Sequence, residues 1–339
     1  MRIDELKNRL KKERLRQFHI PYRLNWGSAY LDCAQQKVIT SVIDRYMSFY
    51  YTKEPVDVVI VETKERNEVY KTTLGQINKR KRDWADYIDG CIMVLEQAGF
   101  TLTDGAHIVV ENDLPSGIGL ASSACFIIGI LKCLFEVNNL AYDKSLLVAL
   151  GYQVEHDFLK IPCGLMDFKA ILHDYGVWYI DTESPKLERD ELLYDKALDI
   201  ALVEDTKQHH EHLYNEKFKE IAEDLAFVGR HPLEVSNNEP FLYAFQYFNR
   251  QRYKVLQIAE AFKKGNLNAL DYKHCQQLLH DSNIQLNYLL GTIRFYHNRE
   301  IQMLGSGLRG YGFALLDPHS PSDLKEYEVQ YCHTLAKPE

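Results

Sequence analysis

The feature that most constrains this chain is a glycine-rich segment, residues 113–124, that joins an expected strand to an expected helix. Apolar residues at 106–110 predict the strand, and an apolar stretch at about 122–135 predicts the helix. Glycine lets a backbone turn tightly and approach a ligand closely. The first N–H groups of a helix lack intrahelical partners, and the helix dipole favours negative charge there. The segment therefore has the parts that a triphosphate-binding loop requires.

A simpler interpretation of the same segment is a glycine turn whose serines cap a helix, which is common in α/β proteins. The segment is not a Walker loop, because it lacks the Gly-Lys-Ser/Thr ending. Ser122 and Ser123 nevertheless add hydroxyl groups that can reach a phosphate or a bound Mg²⁺. From these residues alone, both interpretations stay open.

Composition and charge narrow the function classes. The chain has 339 residues, of which 46% are hydrophobic, enough to bury a sizeable core. Its net charge of −8 comes from interspersed acidic and basic residues, which argues against nucleic acid or an anionic membrane as the main partner. Seven scattered cysteines and a charged start without an apolar signal core predict a soluble, cytoplasmic protein.

The order of expected elements predicts the fold class. Alternating residues at 56–63 predict a strand, and helical spacing at 84–98 predicts a helix. Strands are also expected at 176–181, 198–203 and 311–316. Because strands dominate the first half and helices the second, we expect an α+β protein. Its two domains, residues 1–195 and 196–339, would share a cleft.

Residues 115–124 follow the pattern Pro-x-Gly-x-Gly-Leu-x-Ser-Ser-Ala, which closely resembles the signature of the GHMP kinases, the family of galactokinase, homoserine kinase and mevalonate kinase. The resemblance implies a two-domain fold with an N-terminal domain like ribosomal protein S5 domain 2, an α+β C-terminal domain and an active site in the interdomain cleft. It also implies that ATP phosphates bind the residues of the loop, which are Pro115, Ser116, Gly117, Ile118, Gly119, Leu120, Ala121, Ser122, Ser123 and Ala124.

Two carboxylates stand twelve residues apart, Glu155 and Asp167. Phosphoryl transfer needs charge neutralisation by Mg²⁺ and a group that orients or deprotonates the acceptor hydroxyl, and two such acids could divide these roles. Taken alone, they could equally be a surface helix residue and a turn residue.

The run 155–167 resembles the second galactokinase motif, Glu-His-x-Phe-x-Gly-x-Pro-Cys-Gly-Ile-Met-Asp-Gln. The resemblance implies that Glu155 and Ser123 coordinate Mg²⁺ and that Asp167 is the catalytic acid that takes or orients the proton of the sugar hydroxyl. It also assigns Gly164 and Asp167 to substrate binding. Lys160 and Phe168 depart from the motif.

Residues 21–32 match the opening galactokinase motif without a gap. Arg23 falls on the arginine that stands beside the catalytic aspartate, and Asp32 on a carboxylate that accepts hydrogen bonds from the sugar. The Glu-His pair of the family has become Ala29-Tyr30, which puts galactose itself in doubt. A strand and loop with a core tryptophan is the alternative.

Three further matches are looser. Residues 303–312 resemble the third family motif, which places Gly305 and Gly307 at the substrate, although a plain glycine-rich hairpin is the alternative. A gapped match makes Tyr214 a candidate sugar contact. Trp84 lies in a stretch like the family's adenine-side helix, where its ring would pack on the base or, equally, in the core.

Together these matches predict an ATP-dependent, Mg²⁺-requiring kinase that phosphorylates a sugar hydroxyl. Its partners would be a small-molecule substrate, with no nucleic acid and no membrane, and the chain would be a monomer or weak homodimer. Two alternatives stay open: a kinase for another acceptor (a uronic acid, a heptose phosphate or a mevalonate-like acid), and a catalytically silent sensor of sugar and ATP.

Overall fold

The structure is a computed structural model that describes residues 15–54, 56–76, 83–204, 214–230, 239–264, 272–290, 298, 301–304, 311–319, 324–325 and 327–338. The chain divides into two compact units, each built from separate segments. The first unit comprises Met1–Tyr22, Arg45–Ser116 and Ser122–Ile161. The second unit comprises Arg23–Asp44, Gly117–Ala121 and Pro162–Glu339.

The strands of the first unit lie side by side in one sheet. Its order is β4-β3-β5-β2, with β3 and β5 parallel and the other neighbouring pairs antiparallel. A further strand, β1, pairs with β2. The strands are β1 (Arg16–Asn25), β2 (Val38–Glu54), β3 (Val58–Thr63), β4 (Glu68–Thr73) and β5 (Gly105–Asn112).

Helices of the first unit follow the apolar spacing that predicted them. Helix α1 (Ala85–Gln97) buries Ile88, Ile92 and Leu95, and the side chains of α2 (Ser122–Val137) are buried on most faces. A third helix, α3 (Lys144–Tyr152), begins with Asp143 accepting a hydrogen bond from the Leu146 N–H. It continues into a π-helix, Gln153–Phe158. Such wide turns are rare and occur often at functional sites.

The second unit contains the start of β2 and a separate sheet. Residues 38–41 of β2 pair with β6, which pairs in turn with β7. The separate sheet is four-stranded, in the order β11-β8-β10-β9, and antiparallel throughout. The strands are β6 (Val177–Ile180), β7 (Glu191–Tyr194), β8 (Asp199–Glu204), β9 (Ile301–Met303), β10 (Tyr311–Leu315) and β11 (Glu328–His333). The helices are α4 (Met166–Ala170), α5 (Tyr214–Arg230), α6 (Glu239–Lys264) and α7 (Tyr272–Leu290).

This arrangement confirms the predicted α+β class. The strands that pair around β2 end at Tyr194, and the four-stranded sheet starts with β8 at Asp199. The domain boundary at residue 195 stays a prediction. None of the helices in the described ranges combines the length and apolar character that a membrane span requires.

A buried ammonium group fixes the loop that follows β6. Lys169 of α4 is fully buried, and its Nζ donates to Asp190 Oδ1 at 2.7 Å and to the carbonyl oxygens of Asp181, Ser184 and Lys186 at 2.6, 3.1 and 3.0 Å. The side chain of Asp190 is fully buried as well. The short helix α4 is thereby held against residues 181–190.

We expect Lys169→Met to destabilise the protein by about 3–5 kcal/mol, because the buried Asp190 carboxylate loses its cationic partner. The measurement is the shift of the urea unfolding midpoint. Lys219→Met is the matched control, since Lys219 lies 3.7 Å from Glu223 in a pair that is 61% exposed on both sides. That control should cost less than about 1 kcal/mol. Equal midpoints for the two variants would contradict the prediction.

Candidate functional site

The glycine-rich segment leaves β5 and ends in the first turn of α2. Its backbone adopts left-handed φ angles at Gly117 (+82°), Gly119 (+90°) and Ala121 (+67°). Glycine takes this conformation freely, whereas a left-handed alanine costs roughly 1–2 kcal/mol. Strain of this kind persists where surrounding contacts impose it, and it occurs often at ligand-binding loops.

The predicted loop residues differ in exposure and partners. The apolar members, which are buried, are Ile118, Leu120, Ala121 and Ala124. Pro115 is exposed, and Ser122 and Ser123 are half-buried. Both donors of Ser116, its N–H and its hydroxyl, point to the carboxylate of Glu65 at 2.7 and 2.5 Å.

Arg23 lies at the end of β1 and is 3% exposed. Its guanidinium donates to the Gly119 carbonyl at 3.0 Å and forms an ion pair with Asp167. Its backbone N–H donates to the Leu120 carbonyl at 3.2 Å. One buried cation therefore contacts both the glycine-rich loop and the aspartate of α4, as the sequence led us to expect of Arg23 and Asp167. Their catalytic roles stay predictions.

Asp32 begins a short 3₁₀ helix, and the Gly164 N–H donates to its Oδ2 at 3.2 Å. A side chain at position 164 has no room, because a Cβ would come within 2.6 Å of the Asp32 backbone and carboxylate. The structure thus brings together two residues that the sequence assigned to substrate binding.

Burial raises the pKa of Asp32 to about 6, and the negative charge of Asp167 acts in the same direction. The charge of Arg23 and hydrogen bonds from backbone N–H groups act in the opposite direction. A carboxyl group with this pKa changes its charge within the range of pH values found in cells. Asp32 can therefore both accept and donate a hydrogen bond near pH 6.

Ser123 and Glu155, the predicted Mg²⁺ ligands, both belong to the first unit. Ser123 lies in the first turn of α2, and Glu155 lies buried in the π-helix. Their oxygen atoms are the hard donors that Mg²⁺ prefers. Among the residues that the structure describes, no group of three or more His, Cys, Asp or Glu side chains is arranged to hold a metal ion. That is compatible with Mg²⁺, which is usually bound by one or two carboxylates together with substrate phosphates.

Ala29 and Tyr30, which stand where the family has Glu-His, are both 5% exposed. Tyr30 has a left-handed φ of +66°, and the hydroxyl of Tyr247 on α6 donates to the Ala29 carbonyl at 3.1 Å. Asn25 accepts hydrogen bonds from the Ser28 N–H and hydroxyl, which closes the turn just before. The segment is firmly packed, with an alanine and a tyrosine in place of the family's Glu-His pair.

Trp84 lies immediately before α1 in a cluster of aromatic rings. Its indole meets Tyr70 and Phe126 edge to face, with ring centroids 6.2 and 6.3 Å apart, and its N–H donates to Glu68. The ring is half-buried, so one part of it packs within the first unit. Its assignment to the adenine base stays a prediction.

Three predicted substrate residues have no described side-chain surroundings. Tyr214 is the first residue of α5, but its side chain lies outside the described residues. Gly305 and Gly307 lie outside the described ranges altogether.

Sequence reasoning missed two residues that contact the site segments. Lys169 stands two positions after Asp167 on α4, and no motif drew attention to it. Glu65 precedes Ser116 by 51 residues, but the parallel pairing of β3 with β5 could have suggested the contact. The ends of two parallel neighbours lie at the same sheet edge, so residues just beyond β3 meet residues just beyond β5.

Comparison with known proteins finds related sequences and a shared fold. The family described as GHMP kinases N terminal domain matches residues 86–175. A galactokinase of Pyrococcus furiosus is 28% identical over 73% of this chain and 72% of its own length. A galactokinase of Thermococcus kodakarensis is 27% identical over 86% of this chain and 85% of its own length.

Among solved structures, Lactococcus lactis galactokinase complexed with galactose superposes with a TM-score of 0.81. The two share 19% sequence identity, and the match covers 98% of each chain. This likeness confirms the predicted fold.

We expect the stability of the protein relative to an Asp32→Asn variant to rise as the pH falls. The folded-state pKa of Asp32, about 6, lies above the ordinary value of 3.8, so the ionisation of Asp32 as the pH rises through 6 opposes folding. Between pH 7.5 and 4.5 the wild type should gain about 2 kcal/mol over the variant. Urea unfolding at each pH measures this. Asp57→Asn, at an exposed carboxylate, is the control and should show no such gain.

Proposed function

We propose that the chain is a GHMP kinase, the family whose N-terminal domain matches residues 86–175, and that it transfers the γ-phosphoryl group of ATP to a hydroxyl group of a sugar. The proposal is supported by galactokinase relatives whose sequences align over most of this chain. The direction of the reaction is sugar plus ATP to sugar phosphate plus ADP.

The single observation that supports this chemistry best is the contact between Arg23, Asp167 and the loop carbonyl of Gly119. Phosphoryl transfer depends on positioning and electrostatic stabilisation more than on covalent chemistry by the protein. A carboxylate held by a guanidinium next to a phosphate loop suits both needs. Asp167 would accept or orient the proton of the acceptor hydroxyl, and Arg23 would stabilise negative charge on the transferred group.

The loop from Pro115 to Ala124 fits a triphosphate. Its left-handed turns at Gly117 and Gly119 bring the backbone round to the N-terminus of α2, where amide groups and the helix dipole attract anions. The hydroxyls of Ser122 and Ser123 add donors. These groups would bind and orient the phosphates before transfer, and Trp84 would lie at the adenine side.

Mg²⁺ belongs to the same proposal, with Ser123 and Glu155 as its protein ligands. When bound, the ion would neutralise phosphate charge. Burial of Glu155 supports the assignment, because a buried carboxylate is stabilised by a cation.

The acceptor would be held by Asp32 and by the close approach of Gly164 to it. Asp32 would accept a hydrogen bond from a sugar hydroxyl, and a site built around such a bond rejects compounds that lack the hydroxyl. Tyr214, Gly305 and Gly307 stay predictions for the same role.

A second acceptor class is favoured by one observation. Ala29 and Tyr30 are buried and packed where relatives of the galactokinase type have a polar Glu-His pair. The sugar position next to them would therefore meet a different set of hydrogen-bonding groups. A uronic acid, a heptose phosphate or a mevalonate-like acid is the alternative acceptor, and a silent sensor is the outcome if no acceptor is phosphorylated.

The cellular setting is part of the proposal. The net charge of −8 and the scattered cysteines support a cytoplasmic enzyme with a small-molecule substrate, without nucleic acid or membrane as partner. We propose a monomer or weak homodimer.

We expect ADP release with Mg·ATP and one member of an acceptor panel of aldoses, uronic acids, sugar phosphates and mevalonate. Asp167→Asn should lower kcat on that acceptor by at least about 100-fold, the usual contribution of a general acid–base group. A coupled ADP-release assay measures both. Calorimetric titration of the variant with ADP is the control and should show unchanged binding. Wild-type protein that binds ATP but phosphorylates nothing would favour the sensor.

We expect Glu155→Gln and Ser123→Ala to raise the Mg²⁺ concentration needed for half-maximal activity by about tenfold, as loss of one good ligand interaction does. Asp157→Asn is the matched control, since Asp157 lies two positions further on the π-helix and its side chain is 59% exposed. A Mg²⁺ dependence that is the same in all variants would exclude Glu155 and Ser123 as ligands.

A further inference from the structure

The turn between β3 and β4 contacts the front of the glycine-rich loop through one carboxylate. Glu65 accepts three hydrogen bonds: from the Ser116 N–H at 2.7 Å, from the Ser116 hydroxyl at 2.5 Å and from Asn112 Nδ2 at 2.7 Å. Asn112 Nδ2 also lies 3.1 Å from the Ser116 hydroxyl oxygen. The three residues form a closed polar cluster within the first unit.

The sheet explains why these residues meet. Strands β3 and β5 run parallel, and Thr63 at the end of β3 pairs with Val110 near the end of β5. The register continues one residue further, since the Lys64 N–H donates to the Val110 carbonyl at 3.1 Å. Glu65 follows directly, so its position beside the residues that leave β5 is set by backbone pairing.

Charge makes these bonds strong for an exposed position. Hydrogen bonds to an ionised acceptor are roughly twice as strong as neutral ones, and Glu65 receives three of them.

Both donors of Ser116 point to Glu65, so the groups left to bind phosphate lie further along the loop, from Gly117 onward. Ser116 serves as the fixed point before the first left-handed turn at Gly117, where φ is +82°.

A loop that is already ordered binds its ligand more tightly, because less conformational entropy is lost on binding. We propose that Glu65 is a positioning residue for nucleotide binding: it fixes Ser116 so that the following turn presents its N–H groups to the phosphates. The inference rests on the proposed function, and it adds a residue outside the three family motifs to the nucleotide site.

The test is calorimetric titration with Mg·ADP, which needs no knowledge of the acceptor. Glu65→Ala should weaken ADP binding about tenfold, which corresponds to the loss of one or two net hydrogen bonds. Glu65→Gln keeps one acceptor oxygen and should give an intermediate loss. Arg66→Ala, at an exposed neighbour on the same turn, is the matched control and should bind as the wild type does.

A double-variant cycle shows whether Glu65 acts through Ser116. Ser116→Ala removes the hydroxyl, and combined with Glu65→Ala it should weaken ADP binding no further than Glu65→Ala does alone, because the two changes remove one interaction. In steady-state kinetics, the KM for ATP should rise about tenfold in Glu65→Ala, with the acceptor KM unchanged.

Wild-type binding separates the two proposals. If the wild type binds no ADP, the proposed function itself is wrong. If the wild type binds ADP and Glu65→Ala binds it equally well or more tightly, the inference about Glu65 is wrong while the function stands. Tighter binding would mean that the carboxylate competes with phosphate for Ser116.

Discussion

The site depends on a buried cation. Arg23 reaches the interior with 3% exposure, and an isolated charge there would cost several kcal/mol in lost hydration. Asp167 and the Gly119 carbonyl provide the compensation, and the backbone of Arg23 adds a bond to Leu120. Since the cation needs these partners, the end of β1, the glycine-rich loop and helix α4 are held in one arrangement. The hydration that Arg23 loses on burial therefore fixes the position of Asp167 relative to the part of the loop that belongs to the second unit.

Much of this site could be predicted from the sequence, because its signals are local. The strand–loop–helix at residues 113–124 and the run 155–167 are each contiguous in the sequence. The residue types of the first follow from backbone geometry and phosphate chemistry, whereas the roles in the second came from the family resemblance. The contact of Arg23 with Asp167 joins residues 144 positions apart, and only the family resemblance suggested it. Glu65 and Lys169 escaped prediction because nothing in their own segments marks them; partners brought by the fold give them their importance.

The ends of helices and strands could likewise be predicted where the sequence signal is local. Helices with clear apolar spacing, such as α1 and α2, appeared within a residue or two of their predicted bounds. Strand β1 begins at Arg16, where Arg16 and Gln17 give no strand signal, because pairing with β2 extends it. The alternating residues at 37–43 predict only the first part of β2, which continues to Glu54 because its second half pairs with β5. Tertiary pairing overrides local preference more readily in strands than in helices.

The way the chain alternates between its two units bears on its synthesis. Backbone passes from one unit to the other after residues 22, 44, 116, 121 and 161. On the ribosome, the first unit has all its segments once Ile161 has emerged, while the second must wait for β11 near the carboxyl terminus. A gene divided anywhere between codons 23 and 161 would give two fragments that each carry parts of both units. Neither fragment would carry either unit complete, so fragment complementation would have to rebuild both units together.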